Sequence, residues 1–221
     1  MSELNSVVFS PLMRMNEVKR YSGTRLQEEE SLSHHITDVS MMSYIVAKRL
    51  ISNNDSIDIG SLLEKCLIHD LDEIATGDIP RNTKYAIPGM KVQLDEVSGI
   101  AIKKFSDSLL GFDDLYYKWS DAKSGKEGYI LQMVDMLCVV RKASIEVEVY
   151  NNLSCLKVVT ELCTHLSKMK DKLYTSNLFN TESVLFLNSL LDESIDHIET
   201  LKHNYADICE RYNITKHILE V

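Results

Sequence analysis

Ionisable residues occupy positions where a helical core would otherwise place apolar side chains. Asp70 shares its helical face with Leu63 and Ile74, and His69 directly precedes it. A helical wheel therefore aims the Asp70 carboxylate at the core, where an unpaired charge is costly to bury. Glu73 lies four residues after His69, so these two side chains share a neighbouring face and can reach one site together.

Two further ionisable residues show the same anomaly on other predicted helices. Asp135 is the one charge in the apolar window from Tyr129 to Val140, so it must be neutralised, paired or bound to a cation. His35 lies on an apolar stripe with Leu32 and Val39. Two His and two Asp would supply two nitrogen and two oxygen ligands to one divalent ion, compatible with Mn, Co, Fe, Mg or Zn: His35, His69, Asp70 and Asp135. Four protein ligands leave open positions for water and a substrate oxygen, as hydrolysis requires.

Each of these residues also has an explanation that needs no metal. A single histidine on an apolar face, such as His35, is more often hydrogen-bonded in the core than a ligand. An adjacent His-Asp pair also occurs by chance in many proteins. Asp135 could instead pair with Arg141 or with a lysine from another helix. The conjunction of four such residues on three helices favours the metal.

Helices must position these side chains, because apolar residues recur at helical spacing along most of the chain. The stripe through Leu32 and Val39 predicts a helix from Glu30 to about Asn53. A second helix is predicted from about Ile59 to Ala75 and is stopped by Gly77, and two prolines predict a loop from Asp78 to Pro88. The other predicted elements are a short amphipathic helix over 1–16, a loop over 17–29, and helices at about 90–110, 113–122, 126–150, 154–173 and 182–212.

Composition limits the class of protein. The chain has 221 residues, 24 basic and 33 acidic side chains, and only 8 Gly and 3 Pro, which predicts a single all-α domain. A net charge of −9 argues against a nucleic-acid polymer as partner, because such affinity comes from clustered Lys and Arg. Five Cys without CxxC spacing are typical of reduced thiols, and no segment has the apolar length of a membrane span. We therefore expect a cytoplasmic protein.

The order His35, His69-Asp70 and Asp135 resembles the H…HD…D pattern of the HD-domain metal-dependent phosphohydrolases. The stretch Ile68 to Tyr85, IHDLDEIATGDIPRNTKY, is similar to HDxxEvxtGDxPtpvKY of the HD-domain 5′-deoxynucleotidases. Upstream, RYSGTRLQEEESLSHH resembles that family's RWPLMRxxxxExxxEH segment, with the same separation between arginine and histidine. Glu127 stands before Asp135 as in a related ExxxxxxxD pattern. The resemblance covers about residues 10 to 150.

The resemblance implies an all-α HD-domain helical bundle with a phosphohydrolase core over 1–152. Further helices over 153–221 would pack on that core or form an oligomer face. The implied metal ligands are His35, His69, Asp70 and Asp135. Glu73 would be the general acid or base, with Asp70 as the second catalytic residue. Arg20 would contact the 5′-phosphate and Asp78 would lie beside the sugar.

Four features differ from the family pattern or allow two interpretations. Tyr21 replaces the family's Trp beside the arginine, which alters the part of the nucleotide pocket that stacks on the base. His34 replaces a Glu, and we take His35 as the ligand because its spacing from Arg20 and its apolar face both fit. Lys84 is either a phosphate ligand or a solvated loop lysine. The glutamates 28 to 30 are predicted to be a solvated helix start that suits the positive end of the helix dipole.

The resemblance implies a metal-dependent phosphohydrolase that removes the 5′-phosphate from (deoxy)nucleoside monophosphates by metal-activated water. The alternative within this class is a deoxynucleoside triphosphate triphosphohydrolase that releases tripolyphosphate. A triphosphate would need additional cations near the motif. The non-enzyme alternative is a nucleotide-binding regulatory module. We expect a homodimer or larger homo-oligomer with a small nucleotide substrate.

Overall fold

A computed structural model describes residues 10–108 and 114–211, and within these ranges the chain is all-α apart from one isolated bridge between Lys19 and Ser31. The predicted fold class is confirmed. The helices are α1 (Ser10–Met13), α2 (Leu32–Ser52), α3 (Ile59–Ile68), α4 (Glu73–Thr76), α5 (Arg81–Lys84), α6 (Met90–Ser108), α7 (Leu115–Asp121), α8 (Gly125–Glu148), α9 (Leu156–Thr175), α10 (Thr181–Asn204) and α11 (Ala206–Arg211). No helix in the described ranges has both the length and the apolar character needed to cross a membrane.

The chain divides into two compact units. The first comprises Met1–Ile45 and Asp58–Leu131, and the second comprises Val46–Ile57 and Gln132–Val221. The boundaries at 45 and 131 fall within α2 and α8. The division into a core over 1–152 and additional helices over 153–221 stays a prediction.

The apolar core of the first unit contains the residues next in sequence to His35 and His69. Full burial of each large apolar side chain contributes about 1.5–3 kcal/mol. Ile36 and Ile68 belong to this core, so the adjacent His35 and His69 are buried with them. The core combines residues of α2, α3, α4, α6 and α7 with one residue from the turn before α4: Leu32, Ile36, Ile68, Leu71, Ile74, Ile102 and Leu115.

The second predicted helix ends earlier than its apolar pattern indicates. α3 stops at Ile68, and tight turns carry the chain to α4, which begins at Glu73. Successive i to i+3 hydrogen bonds, such as Leu71 N–H to Ile68 C=O at 3.1 Å, replace the helical ladder. In this turn the Asp72 carboxylate accepts hydrogen bonds from Ser98 on α6 and Trp119 on α7. The prediction that Asp70 projects from a continuous helix is therefore wrong, although Gly77 does end α4, with a φ of 70°.

Three other predicted boundaries need correction. The predicted loop 78–88 contains the short helix α5, directly after Pro80, whose fixed φ suits a helix start. The predicted helix 182–212 is interrupted at Tyr205. The predicted helix 1–16 becomes α1 followed by a 3₁₀ turn, Arg14–Asn16, and its first nine positions lie outside the described residues.

The second unit contains the helical hairpin of α9 and α10. Leucines from both helices are buried between them, including Leu166 and Leu187. Asn180 caps α10 by accepting a hydrogen bond from Ser183 N–H at 3.0 Å. Its side-chain amide also donates to the Asn53 carbonyl at 2.7 Å, which ties the start of α10 to the end of α2.

Candidate active site

The Asp70 carboxylate lies among three basic side chains. Its Oδ2 is 3.2 Å from His69 Nε2 and 3.8 Å from His35 Nε2. It also accepts a hydrogen bond from Arg20 Nη1 at 3.1 Å. The turn after α3 thus places Asp70 between the histidine of that turn and the histidine in the first turn of α2.

Neighbouring acceptors orient both imidazole rings. His69 Nδ1 lies 2.8 Å from the Cys66 carbonyl, which can only accept, so this nitrogen donates the hydrogen bond and Nε2 is turned toward Asp70. His35 Nδ1 faces the Glu30 carboxylate at 3.6 Å, which leaves Nε2 on the side of Asp70. Metal-binding histidines have this arrangement, in which the second ring nitrogen is held by an oxygen.

The four residues predicted as metal ligands come together in the structure. Each residue offers one possible ligand atom, an imidazole nitrogen or a carboxylate oxygen, and these four atoms all lie within 4.8 Å of one another: His35, His69, Asp70 and Asp135. Donor atoms this close can share one divalent ion with only small side-chain adjustments. The set of two imidazoles and two carboxylates fits Mn, Co, Fe, Mg or Zn and does not select among them. The residues present therefore fit a metal.

Two neighbouring carboxyl groups have opposite proton affinities. Burial and then the negative charge of Asp70 raise the pKa of Glu73 to about 8, although Arg20 opposes the shift. Burial also acts to raise the pKa of Asp70. The charge and hydrogen bond of His69, together with Arg20 and Lys123, outweigh it and hold that pKa well below its usual value. At neutral pH these shifts favour a protonated Glu73, which suits a proton donor, and an ionised Asp70, which suits a metal ligand.

Arg20 brings a positive charge to both carboxyl groups. Its Nη1 is 3.5 Å from Glu73 Oε2, in addition to its hydrogen bond with Asp70. The Arg20 side chain is 12% exposed, so the guanidinium is directed inward. A guanidinium in this position can bind a phosphate through charge-assisted hydrogen bonds while the phosphate lies beside a metal.

The other predicted substrate residues lie on two loops that are joined by a hydrogen bond. Ser22 N–H donates to Asp78 Oδ2 at 2.9 Å, which links the turn after Arg20 to the segment after α4. Tyr21 has a φ of 61°, in the left-handed region that a side chain rarely adopts. Lys84, on α5, is close enough to lower the pKa of Glu73. The structure therefore places Arg20 and Asp78 close to Glu73, with Lys84 on the following helix, and Tyr21 directly follows Arg20 in the chain.

Sequence reasoning missed two acidic residues beside this site. Glu30 is not part of a solvated helix start, because α2 begins at Leu32 and the Glu30 side chain is only 12% exposed. Asp72 accepts hydrogen bonds from Ser98 Oγ at 2.6 Å and Trp119 Nε1 at 3.3 Å. One signal for Asp72 was available: Trp119 is the chain's single tryptophan, and a buried indole N–H needs an acceptor.

Two residues singled out by the sequence lie away from this chemistry. Glu127 accepts a hydrogen bond from Asp58 N–H at 3.0 Å, so its carboxylate supports the start of α3. His34 is exposed, whereas His35 is buried.

Comparisons with known proteins agree with this geometry. Residues 8–185 match the family model described as YfbR-like 5′-deoxynucleotidase. The chain is 27% identical over 146 residues to a 5′-deoxynucleotidase of Pasteurella multocida, covering 63% of this chain and 74% of the relative. It is also 27% identical over 150 residues to the 5′-deoxynucleotidase YfbR of Escherichia coli O1:K1, covering 65% and 74%. The crystal structure of an HD-domain phosphohydrolase from Listeria innocua has the same fold, with a TM-score of 0.59, 21% identity, and coverage of 86% of this chain and 97% of that chain.

Proposed function

Since this chain belongs to the YfbR-like 5′-deoxynucleotidase family, we propose that it is a metal-dependent phosphohydrolase that removes the 5′-phosphate from deoxynucleoside monophosphates. One observation carries the proposal. The Asp70 carboxylate lies between His35 and His69, with Arg20 and the Glu73 carboxyl group alongside. A phosphate monoester needs these features, namely a cation site, a guanidinium and a proton donor.

We propose that His35, His69, Asp70 and Asp135 hold one divalent ion, since their donor atoms already lie within 4.8 Å of one another. When bound, such an ion lowers the pKa of water enough to supply hydroxide near neutral pH and withdraws charge from a phosphoryl oxygen. The protein's contribution is to keep the four donors oriented. His69 does this through its contact with the Cys66 carbonyl.

Arg20 would bind the phosphate. Its guanidinium lies on the side of the cluster occupied by Asp70 and Glu73, at 3.1 and 3.5 Å. A phosphate that replaces one of these carboxylate contacts would gain two parallel N–H···O bonds, which fix its orientation. The ester oxygen would then lie close to Glu73.

Glu73 would donate the proton that the leaving group needs. Water adds to phosphorus while the P–O5′ bond breaks, and the departing O5′ takes the Glu73 proton. The products are a nucleoside and orthophosphate. Glu73 regains a proton from the attacking water, which completes the balance. Burial and the Asp70 charge raise the pKa of Glu73, to about 8 without a metal, which favours a proton on this group.

The two joined loops would select the nucleoside. Asp78 would lie beside the deoxyribose, held there by the Ser22 N–H, and Tyr21 would present its ring to the base. Lys84 would add a positive charge for the phosphate. The expectation of a homodimer or larger homo-oligomer stays a prediction.

Chromatographic product analysis tests the proposed reaction. The protein would be incubated with Mn, Co or Mg and a matched panel of ribo- and deoxyribonucleoside mono- and triphosphates. We expect nucleoside and orthophosphate from the monophosphates, with the deoxy compounds hydrolysed faster. Tripolyphosphate from the triphosphates would contradict the proposal and establish the triphosphohydrolase. Nucleotide binding without any product would instead indicate a regulatory module.

A further inference from the structure

One carboxylate oxygen of Glu30 faces both a proposed metal ligand, His35, and the proposed phosphate-binding residue, Arg20. Glu30 Oε1 lies 3.4 Å from Arg20 Nε and 3.6 Å from His35 Nδ1. The His35 side chain is almost completely buried, and the side chains of Arg20 and Glu30 are mostly buried. Charges at such positions interact more strongly than surface pairs, because little solvent screens them.

The backbone keeps Glu30 beside Arg20. Arg20 N–H donates to the Glu30 carbonyl at 2.9 Å, and the next pair along, Lys19 and Ser31, forms an antiparallel bridge. Leu32 N–H then donates to the Val18 carbonyl at 2.9 Å. These contacts pair the two ends of the segment between Val18 and Leu32. The backbone of Glu30 is therefore held beside Arg20, and its carboxylate lies next to both His35 and Arg20.

The position of Glu30 determines which atoms the two basic side chains offer. A carboxylate at His35 Nδ1 favours the proton on that nitrogen and turns Nε2 toward Asp70, 3.8 Å away, on the side of the proposed metal. A carboxylate at Arg20 Nε occupies one edge of the guanidinium. Nη1 then faces Asp70 and Glu73, where the phosphate would bind.

We propose that Glu30 is a positioning residue that orients His35 and Arg20 through one oxygen, and so links the affinity for the metal to the affinity for the substrate phosphate. This inference rests on the proposed function, because it assigns His35 to the metal and Arg20 to the phosphate. Glu30 itself contacts neither ligand. Its loss would disorganise two binding groups without removing either one.

The test compares Glu30→Gln with Glu29→Gln, a neighbouring exposed glutamate that pairs only with Lys19 among the contacts described. Calorimetric titration of the chelator-treated proteins with Mn²⁺ measures metal affinity without substrate. We expect roughly 10–100-fold weaker Mn²⁺ binding for Glu30→Gln, the usual effect of losing an outer partner of a metal-binding histidine. We also expect KM for a deoxynucleoside monophosphate to rise more than kcat falls at saturating metal. Glu29→Gln should match the wild type in both measurements.

Several results distinguish failure of this inference from failure of the proposed function. Wild-type protein that neither binds Mn²⁺ nor releases orthophosphate would overturn both. Normal wild-type behaviour with Mn²⁺ affinity and KM unchanged in Glu30→Gln would overturn only the role of Glu30. If thermal unfolding shows that Glu30→Gln does not fold, Glu30→Asp keeps the charge but shortens its reach. Weaker Mn²⁺ binding by that variant supports the inference, and wild-type affinity contradicts it.

Discussion

Glu73→Gln is expected to lower the rate of orthophosphate release by roughly 10²–10⁴-fold, the contribution of a well-placed general acid. The amide has nearly the same size as the carboxyl group and can still contact Arg20, but it cannot give a proton to the departing O5′. Because Glu73 is not one of the four proposed metal ligands, Mn²⁺ affinity should change little. Steady-state kinetics and Mn²⁺ calorimetry on the same preparation separate these two effects.

The raised pKa of Glu73 predicts how the stability of the wild type and of this variant depends on pH. The pKa of Glu73 rises from its ordinary 4.5 to about 8 in the folded protein. Between these values the folded state keeps a proton that the unfolded chain releases, so this group lowers the free energy of unfolding as pH rises. We expect the metal-free wild type to lose stability across that window relative to the Gln variant.

The matched control for the loss of turnover is Glu127→Gln, whose amide oxygen can still accept from Asp58 N–H and which should keep its turnover. Wild-type turnover in Glu73→Gln would exclude Glu73 as the acid.

Asp70→Asn is expected to remove most of the bound metal and lower turnover by roughly 10²–10³-fold, since a metal supplies several kcal/mol of transition-state stabilisation. The Asp70 carboxylate is the group that faces both histidines and Arg20. An amide oxygen preserves its size and acceptor but not its negative charge. Elemental analysis of metal content, together with orthophosphate release, measures both consequences.

Asp72→Asn is the control for this change because it makes the same substitution two residues away. Asp72 faces Ser98 and Trp119, and in the Asn variant the amide oxygen can still accept from Trp119 Nε1 while the amide N–H donates to Ser98 Oγ. We expect this variant to retain its metal. Equal metal loss in the two variants would show that the turn before α4 tolerates no substitution, and would contradict a specific role for Asp70 as a ligand.

The candidate site was largely predictable because buried charge is unusual. His35 and Asp135 interrupt apolar patterns, and His69-Asp70 is followed by Glu73 at short spacing. Each signal depends only on local sequence and on the cost of burying a charge. The local patterns also predicted the long helices α2 and α8, whose apolar residues repeat over many turns.

The missed features depend on contacts between residues that are distant in sequence. The apolar pattern continues through Leu71 and Ile74, but α3 ends at Ile68, and Asp72 in the following turn accepts hydrogen bonds from α6 and α7 that local sequence does not reveal. Glu30 was misinterpreted for a similar reason. Three successive glutamates before a helix are typical of a solvated helix start, but the pairing of Arg20 with Glu30 turns the last of them inward. The available signal was the glutamate of the RWPLMRxxxxExxxEH segment, which aligns with Glu30.

The central claim is that the His and Asp cluster holds a divalent ion on which phosphate hydrolysis depends. Chelator-treated wild-type protein, titrated with Mn²⁺ while bound metal and orthophosphate release from a deoxynucleoside monophosphate are followed together, tests it most directly. We predict negligible release at the start, and a rise in rate that parallels metal binding and saturates at one ion per chain. Full turnover by the metal-free protein, or saturation of the metal site without any gain in rate, would contradict the claim.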